Sequence, residues 1–216
     1  MNKTIVITIL LLLLFMFPAG SAQATDFPLL GGVLNVNLLV NVTNVTLKDA
    51  LDSIYLGTLK AESPLGFGGE ASLFYPVAPG VKAGPHFIFN YSPLNSSWHA
   101  FQLFQTSLGG IVDLNIGDRN SVSAFVDYNL GWFSAQQEIS SVVGTPAPTG
   151  DFAGGIPGLM IGVKTCTKIT DTMGVGLYYQ LGLMALTGIK YKNNSGQSAW
   201  MNAEINFSQF GVTVYF

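Results

Sequence analysis

The stretch GGIPGLMIGVKTCTKITDTMGVGLYYQLGLMA, residues 154–185, decides how the rest of the chain reads. In its first arm Leu159, Ile161 and Val163 share one parity, while Gly158, Met160, Gly162, Lys164, Cys166 and Lys168 share the other. After Thr170-Asp171-Thr172 the alternation resumes, with Val175, Leu177, Tyr179, Leu181 and Leu183 against Gly174, Gly176, Tyr178, Gln180 and Gly182. A period of two means strands, and a short polar turn between two such arms makes an antiparallel hairpin. Each arm exceeds the roughly 5–6 residues of an ordinary strand and reaches the ~9–11 that a tilted strand needs to cross a bilayer. The second face, glycine with a few charges, suits the inside of a narrow closed barrel, where glycine makes room for long charged chains from opposite strands.

Composition points the same way. Charged residues make up 10% of the 216, far below the roughly 25% of a soluble domain. The chain opens with Met1-Asn2-Lys3-Thr4, an apolar run from Ile5 to Phe17, and Ala22-Gln23-Ala24, which together predict a signal peptide over 1–24, cut before Thr25. Residues 25–216 are then one domain with eight basic and twelve acidic side chains, a net charge of −4 once Lys3 is removed. No later apolar run is long enough for a membrane helix, so a membrane location requires a barrel. There is no basic patch for nucleic acid, and the single Cys166 excludes an internal disulfide and any cysteine metal cluster. No cofactor or metal site is expected.

The same alternation recurs in order along the chain, predicting strands over 33–43, 67–77, 81–92, 98–115, 122–132, 153–169, 173–185 and 200–216. Between the first two, Thr46-Leu47-Lys48-Asp49 and the spacing of Leu47, Ala50, Leu51 and Ile54 predict a short helix in a long loop. Pro85 lacks an N–H and predicts a bulge or weakened ladder, and Ile111 interrupts the polar inner parity of its strand. In the last strand Ala203, Ile205 and Phe207 share one parity and Phe210, Val212 and Val214 the other, predicting a β-bulge near Ser208-Gln209. Tight turns alternate with longer connections, chiefly 43–65 and 134–151, as short periplasmic turns alternate with extracellular loops. Trp98, Trp132 and Trp200, with Tyr91, then fall at the loop ends as an interfacial aromatic belt.

With this pattern the chain resembles the small outer-membrane β-barrels of Gram-negative bacteria, the OmpA/OmpX-type superfamily of eight-stranded domains. The resemblance implies an all-β, eight-stranded antiparallel up-and-down transmembrane barrel in outer-membrane lipid. It also implies that Phe210, Val212, Val214, Tyr215 and Phe216 form the C-terminal signal recognised by the barrel-assembly machinery. The resemblance departs at the C-terminus, where no peptidoglycan-binding domain is read after the strand pattern, so a cell-wall tethering role is not expected.

The inner parity carries Glu70, Asp113, Asp127 and Glu204 against Lys82, Lys164 and Lys168, with His86 among them. Enclosed charges must pair or stay wet, and eight strands leave space only for side chains, so these residues read as a structural plug of ion pairs. The deacylases of this class carry a Ser two places after a His; here those places are Ile88 after His86 and Phe101 after His99, and no enzyme is expected. The expected function is a closed or nearly closed barrel acting through its extracellular loops. A narrow pore for small solutes, suggested by the inner glycines, and a secreted soluble barrel or sandwich are the alternatives.

Overall fold

A computed structural model describes residues 25–27, 32–48, 59–95, 100–136, 152–171, 173–192 and 198–215. The strands are β1 (Thr25–Phe27), β2 (Gly32–Lys48), β3 (Leu59–Ala78), β4 (Val81–Asn95), β5 (Ala100–Ile116), β6 (Asn120–Gln136), β7 (Phe152–Lys168), β8 (Gly174–Lys192) and β9 (Ser198–Tyr215). Neighbours in sequence pair antiparallel, and β2 also pairs with β9, which closes β2–β9 into an eight-stranded barrel. The short β1 lies outside that ring. It pairs with Gly32–Leu34 of β2, covering the edge that β9 leaves open because its own ladder with β2 begins at Asn37.

Following paired residues round the barrel from Asn35 leads through Ser72, His86, Gly109, Asp127, Met160, Gly182 and Phe207, and returns to β2 at Val45. The row therefore comes back ten residues further along, from position 35 to position 45. Ten steps of about 3.3 Å against eight spacings of about 4.8 Å correspond to a strand tilt of about 40°. Strands of 15 to 20 residues at that tilt rise about 40–50 Å, well beyond the ~25 Å apolar band of an outer-membrane barrel.

Alternation sorts the side chains as the barrel requires. Leu108, Leu130, Leu159, Leu181 and Leu183 point outward and are exposed, Leu183 by 69%, with no second sheet over them among the described residues. A soluble sandwich would have buried these residues against each other, so that reading falls. On the inside, Leu39, Phe74, Ile88, Ile111, Phe125 and Tyr178 form a buried apolar cluster. Ile111 is thus a member of an inner layer. Two inner glycines make room for aromatic rings rather than for charged chains: a Cβ on Gly162 would lie 2.2 Å from the Phe125 ring, and one on Gly182 would lie 1.6 Å from Phe207. Both pairs sit directly opposite each other on adjacent strands, an arrangement in which the ring covers the bare backbone.

Several expectations are corrected. Thr46–Lys48 is strand, not the start of a helix, because β2 runs on beside β3 and β9 to Lys48. Residues 49–58 lie outside the described residues. The connection expected over 43–65 is shortened accordingly, and the one at 134–151 is trimmed by β6 reaching Gln136 and β7 starting at Phe152. No bulge occurs at Ser208-Gln209: both ladders of β9 run through it without a shift, and Ile205, Phe207, Gln209 and Thr213 all face inward. The change of apolar parity there is a change in what the inner wall accepts. Pro85 behaves as expected. Its ladder with Gly110 is intact, whereas between Ser72–His86 and Tyr75–Ala83 the pairing of β3 with β4 lapses without changing register.

This is the architecture of a closed, eight-stranded, antiparallel up-and-down β-barrel with an apolar outer wall. Gly182→Val is expected to lower stability by about 1–3 kcal/mol or more through collision with Phe207. Gly155→Ala, with nothing within 4 Å of its Cβ, should be near neutral; urea unfolding of the refolded barrel in detergent measures both.

Candidate functional site

Four of the expected inner charges meet in the lumen. Glu70 on β3 accepts a hydrogen bond from the Lys164 ammonium on β7, and Oε1 also accepts one from the Ser72 hydroxyl at 3.1 Å. In an eight-stranded ring β3 and β7 stand four strands apart in either direction, so this ion pair crosses the full width of the barrel. His86 on β4 directs Nδ1 at both oxygens of Asp127 on β6, 2.9 and 2.8 Å away. Its other nitrogen, Nε2, lies 3.1 Å from Glu70 Oε1 but off the angle of a hydrogen bond. The imidazole also tilts against Phe125, with ring centroids 4.7 Å apart.

The sequence explains why His86 and Asp127 meet. They belong to one paired row with Gly109 of β5 between them. A Cβ at 109 would lie 2.4 Å from Asp127 Oδ1 and 2.0 Å from the Val126 carbonyl oxygen, so glycine leaves the gap the two side chains bridge. All four charged side chains are fully buried or nearly so. Two carboxylates face one lysine, and His86 would complete a neutral set when it carries both ring protons. Such balance, together with hydrogen bonds, is what makes buried charge tolerable.

The remaining charges do not join. Asp113 lies towards the turns, where it accepts a 2.6 Å bond from Ser123. Lys82 sits opposite Asp113 in the ladder and is half-buried; Lys168 is exposed at the end of β7; neither forms an ion pair among the described residues. Glu204 is a correction. It faces outward and is exposed, because inward parity on β9 belongs to Ile205 and Phe207.

Sequence reading passed over a second inner layer, built of amides and hydroxyls. Gln209 is its hub: Nε2 donates to Gln105 Oε1 at 2.6 Å and to Thr43 Oγ1 at 2.9 Å, while Oε1 accepts from Asn90 at 3.0 Å and from Gln180. Asn41 donates to Asn90 at 2.9 Å and accepts from Thr43 at 2.8 Å. Gln105 and Gln209 come from β5 and β9, again opposite walls. Expecting a bulge at Ser208-Gln209 hid this hub. The inward polar residues Asn41, Asn90, Gln105 and Gln180 were its visible signal.

On the outside, Phe67, Tyr91, Phe104 and Trp132 form one row across β3–β6. Tyr91 packs between Phe67 and Phe104, with centroids at 5.4 and 4.8 Å, and Trp132 is exposed. Trp98 lies outside the described residues, and Trp200 is placed by its backbone opposite Lys190 at the loop end of β9. At the C-terminus Phe210 faces outward, whereas the Tyr215 hydroxyl donates to the Thr165 carbonyl at 2.9 Å and its ring lies 5.5 Å beneath the Lys164 ammonium. Phe216 and residues 1–24 lie outside the described residues.

No protein-family model matches the chain, and no curated protein matches it. Among solved structures, neisserial surface protein A is 14% identical, covers 84% of this chain and 97% of its own, and superposes with a TM-score of 0.47. Ail, the attachment invasion locus protein of Yersinia pestis, is 10% identical over 86% of this chain and 99% of its own, with a TM-score of 0.48. The outer membrane protease OmpT from Escherichia coli is 10% identical over 91% and 98%, with a TM-score of 0.47.

Glu70→Ala strands Lys164 in the lumen and is expected to cost about 3–5 kcal/mol, whereas Glu70→Leu combined with Lys164→Met should be far milder. Urea titration of the refolded variants in lipid vesicles distinguishes the two.

Proposed function

We propose that this protein is a closed outer-membrane barrel whose wall and lumen are structural, and whose biological contacts are made by the loop-side connections around 49–58 and 137–151. The observation that carries the reading is the pair of bonded links across the lumen, Glu70 to Lys164 and Gln105 to Gln209. A solute path along the axis would have to break both. Eight strands enclose only enough room for side chains, which favours a filled interior over a conduit.

The proposal extends to biogenesis. Residues 1–24 act as a cleaved signal peptide, 25–216 form the single mature domain, and the end of β9 with Phe216 is read by the barrel-assembly machinery. Outer-membrane lipid is the partner of the apolar outer face, with the row from Phe67 to Trp132 marking its loop-side limit.

Planar-bilayer recording tests the reading. Purified, refolded protein that shifts in gel mobility on boiling is expected to give no discrete conductance steps. Reproducible steps would establish the narrow pore instead.

A further inference from the structure

We infer that the water-tight seal of this barrel is a single apolar ring at its loop-side mouth, formed by Val45, Leu94, Leu103, Ile156, Met184 and Ile205. The inference rests on the closed-barrel reading and names the layer that does the closing. All six side chains are buried, Leu103, Ile156 and Ile205 completely, and each comes from a different strand: β2, β4, β5, β7, β8 and β9.

The register places them at one level. With a tilt of about 40°, one residue along a strand climbs about 2.5 Å along the barrel axis, and one strand along a paired row climbs about 3 Å. Val45 is paired with Phe207 and so stands about 3 Å above it, while Ile205, two residues nearer the loop-side start of β9, stands about 5 Å above it. Carried round the ladder, the six lie within about 3 Å of one another. The two remaining strands contribute small residues at nearly the same height, Ser63 of β3 and Gly131 of β6. On the outer wall this is the level of Trp132, next to Gly131, at the upper end of the aromatic row.

What lies beneath is mixed. The amide layer around Gln209 and the ion cluster around Glu70, the latter interleaved with Leu39, Ile88, Ile111, Phe125 and Tyr178, carry polar groups that can exchange their bonds for water. Several buried polar atoms there have no protein partner: both side-chain atoms of Asn37, Ser107 Oγ, Thr213 Oγ1 and Gln180 Oε1. Polar atoms of this kind are ordinarily satisfied by internal water. The six ring side chains offer an entering ion or water no hydroxyl or amide; the polar atoms nearest them are Ser63 Oγ at their level and, from beneath, the Asn129 amide, whose Nδ2 donates to the Ile156 carbonyl at 2.6 Å and to Met184 Sδ at 3.0 Å. A hydrophobic constriction of this sort excludes water by dewetting, and an ion there would lose its hydration without compensation.

The experiment compares three proteins in vesicles and planar bilayers, each first shown to be folded by heat-modifiable mobility. The wild type should be silent. Leu103→Ala with Ile156→Ala and Ile205→Ala should raise ion flux at least tenfold. Glu70→Gln with Lys164→Gln, which removes the ion pair below the ring, should stay near the wild-type baseline. Should the triple variant fail to fold, Leu103→Ser alone should raise flux several-fold. Folded ring variants that remain silent, or an ion-pair variant that leaks as much as they do, would overturn the seal while leaving the closed barrel standing. A conducting wild type would overturn the closed barrel itself.

Discussion

The constraint on which everything else depends is closure of β2 on β9 with a ten-residue offset. That offset sets the tilt, and tilt with strand number sets the bore. A bore this narrow cannot hold both a full complement of large side chains on every strand and a channel. Glycines therefore stand where a neighbour's ring or backbone comes closest, as at Gly182 under Phe207 and Gly109 between His86 and Asp127. The same geometry lets residues on opposite walls touch directly. Glu70 reaches Lys164, and Gln209 reaches Gln105, without backbone between them.

The lumen is layered by chemistry. Towards the turns lie Asp113 and Ser123; the ion cluster follows, interleaved with Ile88, Ile111 and Phe125; the amide layer comes next; the apolar ring ends the series at the loop side. Charge is kept where it can be paired, and unpaired carbon where the barrel opens. The outer wall has a simpler rule: exposed apolar side chains along most of each strand, with the aromatic row from Phe67 to Trp132 towards the loop side.

Legibility follows from that difference. The lipid-facing set, among them Leu159, Ile161, Leu177 and Leu181, could be read because every outward position meets the same apolar medium, so a period of two survives from strand to strand. Glu70, His86, Asp127 and Lys164 could be recognised as inward by parity, yet nothing in their spacing said which would meet. Their contacts join strands far apart in sequence, Glu70 to Lys164 over 94 residues. Glu204 was misread because apolar Ile205 and Phe207 looked as if they must face lipid. Inside a barrel an apolar residue is equally at home, so hydrophobicity stops reporting the face.

The sequence by itself determined that the chain is a barrel of antiparallel strands, that one face of each strand is apolar and turned outward, and where the tight turns fall. Local alternation and turn chemistry are properties of adjacent residues. Only the tertiary structure decided the register, and with it which charges pair, that Gln209 becomes the hub of a polar layer, and that six apolar residues from six strands share one level. Those facts depend on how far each strand slides against the next, a quantity set by closing the whole ring at once.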